Sequence, residues 1–432
     1  MTNNIYRGYI INPSAGGMEY IPDGALVVGP KGNILFCGRF SDATEFYPSN
    51  SEIARTKDII VPGFIDMHTH IFQYPAIGRY GGPLLDWLNN IIYPLEAKAI
   101  EEDYSYNLAS KFFQDALSFG TTTIVAFSTV HKQSACQAFK AARDSGIRAF
   151  IGNSMMDTNV PTNNCYSTEK NIGDSFELLV CWDNSEHGRL KYIVSPRFAG
   201  ACTNDLMKRT ANLARSKELF IQTHLAENLN ELKLIAKMFP EFEHYTSVYD
   251  RAGLLTDKTL LAHCIYLSEK EIDLIRSRKS IIVHCPSSNR FLQSGVMPLR
   301  KYLDNDLKVG LGTDVAAGIS LSMLNEMREA IESSKTWNIL NQNHVLKPLS
   351  SEEVLRLATI KAAEYLNIDK ETGNLEKGKS ADFLIFDGKE IYNEVMQESG
   401  NNIDVLDKLV YGILGLKAKK VFIQGKDYLN KD

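Results

Sequence analysis

Residues 62–70 read PGFIDMHTH, an apolar stretch that opens on proline and glycine and ends on two histidines one residue apart. The apolar residues favour a buried strand. Alternate residues of a strand share a face, so His68 and His70 would point the same way at its C-terminal end. Two imidazoles side by side can hold one metal ion, although an isolated pair of this kind is often two ordinary histidines. The stretch predicts a strand that ends in a candidate metal site.

Seven further apolar runs follow this strand, and helix-like stretches such as 104–118, 269–278 and 321–334 separate most of them. Eight strands alternating with helices are the count of a TIM barrel. The competing fold, a doubly wound open sheet, usually has a glycine-rich phosphate turn, but the glycines of 78–82 lack that spacing and the P-loop lysine. The predicted strands are 64–71, 122–127, 148–155, 191–198, 219–226, 259–264, 280–285 and 308–313.

The two ends of the chain carry short apolar runs bounded by glycines, which read as strands and turns. We therefore expect a small composite β-sandwich domain made from both ends, around the α/β barrel. The predicted boundaries are 1–61 and 371–432 for the two parts of the sandwich and 62–370 for the barrel.

Composition excludes several classes of protein. The 432 residues are 44% hydrophobic and 23% charged with a net charge of -5, which is typical of a globular chain without a general attraction for nucleic acid or anionic membranes. No apolar run is long enough to span a bilayer, and the start of the chain lacks an apolar signal-peptide core. The seven scattered cysteines include no Cys-x-x-Cys pair, so we expect reduced thiols in a cytoplasmic protein.

Titratable residues stand at the ends of three later strands. His224 closes the fifth strand and Glu227 lies just beyond it; His263 is near the end of the sixth, and Asp314 follows the eighth. Barrel strands bring such groups together at one face, where a third imidazole and a carboxylate could complete a metal site and a nearby carboxylate could move protons. Taken alone, Glu227 could be a solvated loop charge and Asp314 a helix N-cap.

The combined pattern resembles the amidohydrolase superfamily, whose members place His-x-His, His, His and Asp in this order on a TIM barrel. The resemblance implies His68, His70, His224 and Asp314 as metal ligands. Two-metal members add a bridging lysine near the fourth strand, where this chain reads SPRF at 195–198, so one metal is implied. Zinc is the usual occupant in the deaminase branch, with iron and manganese as alternatives.

Further segments resemble the family within it that deaminates guanine. They are HIFQY at 70–74, PLLDWL at 83–88, PRF at 196–198, QTHLAEN at 222–228, YTSVY at 245–249 and GTDVA at 312–316. This resemblance implies a small-molecule purine substrate, guanine, and a homodimer. It gives Glu227 as the proton shuttle and His263 as a further catalytic residue beside Asp314. The implied substrate contacts are Gln73, Trp87, Arg197 and Phe198.

Alternatives remain at this level. Another amidohydrolase acting on an s-triazine, a pterin or an adenosine-like substrate would use the same ligands, and a non-catalytic scaffold could share the fold. Phe198 and Trp87 could be ordinary core aromatics. Residues 79–97 are expected to close over the purine, and His284 to organise a loop. The other histidines, at 131, 187, 244 and 344, are expected to face solvent.

Overall fold

The computed structural model describes residues 3–14, 16–47, 53–54, 58–342, 344–391 and 402–429. Its strands, in chain order, are β1 (Asn4–Ser14), β2 (Gly17–Val28), β3 (Ile34–Arg39), β4 (Ile53–Ala54), β5 (Ile59–Pro62), β6 (Phe64–His70), β7 (Thr121–Phe127), β8 (Arg148–Gly152), β9 (Ser154–Met155), β10 (Leu190–Tyr192), β11 (Ser195–Pro196), β12 (Ile221–Leu225), β13 (Thr259–His263), β14 (Ile281–His284), β15 (Lys308–Leu311), β16 (Phe383–Phe386), β17 (Lys420–Ile423) and β18 (Lys426–Asp427).

The α-helices of the same ranges are α1 (Phe40–Phe46), α2 (Leu84–Trp87), α3 (Tyr93–Ala97), α4 (Glu102–Ser118), α5 (Lys132–Ser145), α6 (Thr168–Trp182), α7 (Ser185–Gly188), α8 (Asn204–Lys217), α9 (Leu229–Met238), α10 (Tyr245–Ala252), α11 (Glu269–Arg278), α12 (Pro286–Phe291), α13 (Leu299–Asp304), α14 (Met323–Leu340), α15 (Ser351–Leu357), α16 (Ile360–Tyr365), α17 (Gly388–Ile391) and α18 (Asn402–Tyr411). Short 3-10 helices cover Ile71–Ala76, Lys98–Ile100, Thr162–Asn164 and Ala199–Ala201, and a π-helical turn covers Leu88–Ile92.

Strands β6 to β15 form the predicted α/β barrel. The parallel order β6-β7-β8-β10 makes one half and β12-β13-β14-β15 the other. The third and fourth predicted strands are each interrupted, and their outer pieces β9 and β11 pair with one another. Branched, aromatic and sulfur-containing side chains of alternate positions fill the interior as stacked layers. These core residues are Ile65, Met67, Val125, Phe150, Ile193, Leu260, Ile281 and Val283.

Two seams join the halves into a closed ring. A parallel bridge pairs Val194 with Ile221 on one side. On the other side the amide of Asp314 donates to the carbonyl of His68 at 2.8 Å, next to β6 and β15. A Cβ atom at Gly312 would lie 2.9 Å from the backbone nitrogen and oxygen of His68, so the close approach of these strands requires glycine. The second seam therefore sets two predicted metal ligands beside each other.

Strands from both chain ends share one sheet in the order β18-β17-β16-β5-β1-β2-β3, with β4 paired to β1. The two ends meet where β5 pairs antiparallel with β16. Apolar side chains of strands from both ends form one cluster, in which the ring centroids of Phe383 and Phe422 stack 4.3 Å apart. The composite arrangement of the ends agrees with the sequence-based expectation, while the boundaries 1–61, 62–370 and 371–432 stay predictions.

The described ranges contain neither a membrane-spanning helix nor a disulfide. None of their helices combines the length and apolar character needed to cross a membrane. All seven cysteines are free thiols, as expected from their scattered positions.

Candidate active site

A cavity opens where the barrel strands end, and it collects nearly all of the predicted site residues. His68, the exception among them, is buried beside the cavity and does not line it. The lining consists of His70, Gln73, Leu84, Trp87, Leu88, Arg197, Phe198, His224, Glu227, Glu231, His263, Leu292, Asp314 and Ala317. Leu84 and Leu88 belong to the segment 79–97 that was expected to close over the purine, whereas the sequence had no signal for Leu292 or Ala317 beyond their apolar character.

Five potential metal donors meet at this point. Ligand atoms of His68, His224, His263 and Asp314 all lie within 4.8 Å of one another. His70 joins them, since its Nε2 lies 3.2 Å from Nε2 of His224 and 3.3 Å from Oδ1 of Asp314. Nε2 of His68 lies 3.2 Å from the same oxygen. The set contains every predicted ligand and adds His263.

The protonation of these imidazoles suits a cation. Burial lowers the pKa of His70 to about 3 and that of His224 well below its usual value, so both rings are neutral at pH 7. Nδ1 of His224 faces the carbonyl of Arg197 at 2.6 Å and must donate to it, which leaves the lone pair of Nε2 toward His70.

Several of these nitrogens are otherwise unsatisfied. Nε2 of His68, Nε2 of His263 and Nδ1 of His70 are buried without a hydrogen-bond partner among the described residues. Neutral imidazole nitrogens and a carboxylate are the donors that divalent transition metals bind. The residues therefore fit a metal ion, and the chain contains a His/His/His/Asp metal-binding cluster.

Two carboxyl groups, Asp314 within the cluster and Glu227 beside it, have opposite preferences for a proton. Burial, followed by the negative charge of Asp314, raises the pKa of Glu227 well above its usual value. Burial would also raise the pKa of Asp314, but the close imidazoles of His68 and His70, with His263 nearby, outweigh it and lower that pKa. Of the two, Glu227 is the carboxyl that holds a proton more readily, and its Oε2 lies 3.3 Å from Nε2 of His263.

Polar contacts hold the cluster from behind. Ser288 of α12 donates to Oδ2 of Asp314 at 2.6 Å, and Oδ1 of Asn289 lies 2.9 Å from Nδ1 of His263. The carboxylate of Asp66 accepts from the amide and hydroxyl of Thr313, tying the first strand to the last. Ser288 and Asn289 follow His284 in the HCPSSN sequence of 284–289, which was the available signal for them.

The opposite part of the cavity is built around a buried ion pair. Arg197 follows β11 directly, and its Nη1 donates to Oε2 of Glu96 at 2.7 Å. Gln73 donates through Nε2 to the other oxygen, Oε1, at 2.9 Å. Tyr93, one turn before Glu96 in α3, sets its ring 5.3 Å from the guanidinium carbon. Burial lowers the pKa of Arg197, but the charge and hydrogen bond of Glu96, together with nearby Tyr93 and Asp314, raise that pKa overall. Sequence reasoning missed Glu96.

Apolar side chains complete the walls. Residues 79–97 contribute Leu84, Trp87 and Leu88 to the lining, and Phe198 adds an aromatic ring next to Arg197. Trp87 is fixed because its indole nitrogen donates to the carbonyl of Arg79 at 2.8 Å. The closure of this segment over a ligand stays a prediction.

Of the four histidines expected to face solvent, His187 and His344 are exposed, His244 is half-buried, and the expectation for His131 is wrong. His131 is 3% exposed rather than solvent-facing, and its Nδ1 lies 2.7 Å from the hydroxyl of Tyr166. Its position after β7 places it under the loops that cover the barrel, which the sequence pattern did not reveal. His284 is buried and burial lowers its pKa to about 3; its carbonyl accepts from the amide of Gly312, while neither ring nitrogen has a hydrogen-bond partner in the described ranges.

Comparison with known proteins points to one family. The amidohydrolase family matches residues 59–427. Guanine deaminase of Rattus norvegicus is 33% identical over 98% of this chain and 96% of its own length. Guanine deaminase of Escherichia coli K12 is also 33% identical, over 93% of this chain and 89% of its own. A crystal structure of guanine deaminase from C. acetobutylicum with guanine bound in the active site superposes with a TM-score of 0.90 at 32% identity, covering 98% and 99% of the two chains.

Proposed function

The chain belongs to the amidohydrolase family, and from that premise we propose that it deaminates guanine, hydrolysing it to xanthine and ammonia. The observation that carries the proposal is that one cavity brings together most of the metal-binding cluster, the buried carboxyl of Glu227 and the Arg197–Gln73 pair. Hydrolysis of the base and selection of a purine would both need these three parts close to one another.

We propose that His68, His70, His224 and Asp314 hold one divalent metal ion, with zinc as the expected occupant. His263 lies close enough to belong to the same cluster, but we assign it to catalysis because Asn289 engages its Nδ1 and Glu227 faces its Nε2. When bound, the metal supplies a Lewis acid that lowers the pKa of a coordinated water and so provides a nucleophile near neutral pH.

Glu227 would protonate the ring nitrogen beside the carbon that carries the exocyclic amine. This role suits a buried carboxyl with a raised pKa. Water oxygen adds to that carbon, whose bond to the amine nitrogen then breaks. Asp314 takes one proton from the water and passes it to the amine so that ammonia can leave, and the remaining O–H proton returns to Glu227 as the carbonyl of xanthine forms. His263 would stabilise negative charge on the added oxygen.

Arg197 and Gln73 would read the purine. Guanine carries a carbonyl acceptor next to N–H donors. Arg197 supplies donors only, whereas Gln73 supplies both an acceptor and a donor. The rings of Phe198 and Trp87 would line the purine, and their place in the cavity wall supports that assignment.

An ammonia-release assay on a panel of purines, pyrimidines, pterins and s-triazines tests the proposal. We expect guanine to be the preferred substrate. Preference for a pterin, a triazine or an adenosine-like nucleoside would identify another amidohydrolase activity, and a metal-free protein without ammonia release would be a non-catalytic scaffold. We also propose a homodimer, as the family resemblance implies; light scattering of the purified protein at micromolar concentration would test it.

A further inference from the structure

We propose that Glu96 is a positioning residue that fixes the hydrogen-bonding polarity of the purine pocket by holding Gln73 and Arg197 at the same time. The inference rests on the proposed function, because the pocket it organises is the one assigned to guanine. Glu96 itself does not line the cavity, whereas Gln73 and Arg197 both do. Its effect on a substrate would therefore pass through these two side chains.

The Glu96 carboxylate decides which end of the Gln73 amide faces the pocket. Amide oxygen and nitrogen are nearly equivalent in shape, so their orientation follows from the hydrogen-bond partners. An ionised carboxylate can only accept, and Glu96 forms an ion pair with Arg197 at 2.7 Å. The nitrogen of Gln73 must then point to Glu96, and its oxygen lies 3.5 Å from the backbone amide of Ala316, with its second lone pair left as the acceptor for the pocket.

The same carboxylate also aims Arg197. One nitrogen, Nη1, is held by Glu96, while the guanidinium carbon lies 5.3 Å from the ring of Tyr93 on the same helix as Glu96. The fork is planar and rigid, so fixing one nitrogen and one face fixes the direction of its other N–H groups. Both partners are deeply buried, with side-chain exposures of 3% for Arg197 and 1% for Glu96. The pair is therefore held in a single geometry.

Together these contacts give the pocket donors from Arg197 beside an acceptor from Gln73. This order complements a ring that presents a carbonyl next to an N–H group, as guanine does. Gln73 follows β6, Arg197 follows β11, and Glu96 belongs to α3. Glu96 is thus the residue that links two otherwise separate elements into one reading surface.

The test compares Glu96→Gln with wild type and with an exchange variant that combines Gln73→Glu and Glu96→Gln. In Glu96→Gln the new amide can accept from Arg197 and donate to Gln73, which turns the donor end of Gln73 toward the pocket. In the exchange variant the carboxylate at position 73 accepts from the amide at position 96 and again offers an oxygen to the pocket. One carboxylate also remains near Arg197. Glu271→Gln, which removes another buried carboxylate, is the matched control.

We expect Glu96→Gln to keep its metal and to lose at least tenfold in kcat/KM for guanine, mainly through KM, because a pocket with mismatched hydrogen bonds discriminates strongly. The ratio of kcat/KM for guanine to that for adenine should fall with it. On a logarithmic scale, the exchange variant should regain at least a third of the kcat/KM for guanine that Glu96→Gln loses. The Glu271→Gln control should keep the wild-type ratio of kcat/KM for guanine to that for adenine.

A Glu96→Gln enzyme with metal bound and a guanine-to-adenine ratio within twofold of wild type would overturn the inference. An exchange variant that folds and binds metal but regains none of the kcat/KM for guanine would also overturn it. If Glu96→Gln does not fold, the exchange variant is compared with wild type instead. Absence of guanine turnover in wild type would instead count against the proposed function itself.

Discussion

The carbonyl oxygen of Arg197 accepts a hydrogen bond from Nδ1 of His224 at 2.6 Å, while the side chain of the same arginine pairs with Glu96. One residue thus orients a predicted metal ligand through its backbone and forms the purine pocket through its side chain. Substitution of the side chain leaves the backbone carbonyl in place. The two functions can therefore be separated by mutation.

The first prediction concerns the metal. We expect purified protein to contain one tightly bound divalent ion per chain, measured by elemental analysis. His68→Ala, His224→Ala and Asp314→Ala should each lose or loosen it, because each removes a donor from the cluster. Two metals at full occupancy would contradict the single-site assignment.

Glu227→Gln tests the proton carrier. The variant should retain its metal but lose about a hundred- to ten-thousand-fold in kcat, which is the usual range for a general acid or base. Glutamine keeps the size of the side chain and cannot deliver the proton. The exposed Glu241→Gln serves as control and should behave as wild type. Near-normal turnover of Glu227→Gln would mean that another group moves the proton.

Selectivity tests the side chain of Arg197. Wild type should prefer guanine to adenine by roughly ten-thousand-fold, because the donors of Arg197 would face the amine of adenine. It should also prefer guanine to guanosine if residues 79–97 close over the base. In Arg197→Met the metal should remain and the guanine preference should collapse. Equal losses of kcat/KM for guanine, guanosine and adenine would show that the purine-reading residues lie elsewhere.

The buried pair also makes a prediction about stability. Arg197→Met leaves the charge of Glu96 buried without its partner, which costs about 3–5 kcal/mol of unfolding free energy. Adding Glu96→Gln should restore much of that stability without restoring guanine preference. Chemical denaturation of both variants measures the difference. If the double variant is no more stable than Arg197→Met, the unpaired charge is not the cause of the loss.

Gly312 offers a prediction at the barrel seam. Gly312→Ala should lower the unfolding free energy by about 1–3 kcal/mol or more and weaken metal binding, because the new methyl group meets the backbone of His68. Gly173→Ala in α6 is the control, since its Cβ meets nothing within 4 Å and alanine favours helix. Thermal unfolding and metal content should separate the two; similar behaviour would mean that the seam can widen without cost.

Most of the fold was predictable because each barrel strand is a short apolar run. The predicted helix 269–278 coincides with α11, whereas 321–334 underestimates α14, which continues to Leu340. The interruptions between β8 and β9 and between β10 and β11 were not predicted. They depend on how β9 and β11 pair with each other, which is a tertiary contact between separate segments of the chain.

The candidate site also contains residues that the sequence could predict and residues that it could not. His68, His70, His224, His263 and Asp314 were accessible because parallel strands must bring their C-terminal ends to one face. Glu96 was not, because a glutamate in a short helix is ordinarily a solvent-facing charge. Its burial follows only from tertiary packing, in which Gln73 and Arg197 from separate parts of the chain cover its carboxylate. The expectation that His131 faces solvent was wrong for the same reason. Its position resembles the start of a surface helix, but contacts such as that with Tyr166 exclude solvent from it.

The seam between β6 and β15 joins parts of the chain that are far apart in sequence, and Asp66 and Thr313 are 247 positions from each other. Closing so long a loop costs conformational entropy before any contact repays it, so non-local pairing of this kind slows folding. A nascent chain carries His68 and His70 long before it carries Asp314. The cluster can thus be completed only after the last barrel strand has been synthesised and docked, and hydrogen exchange of the Asp314 amide should report when the ring opens.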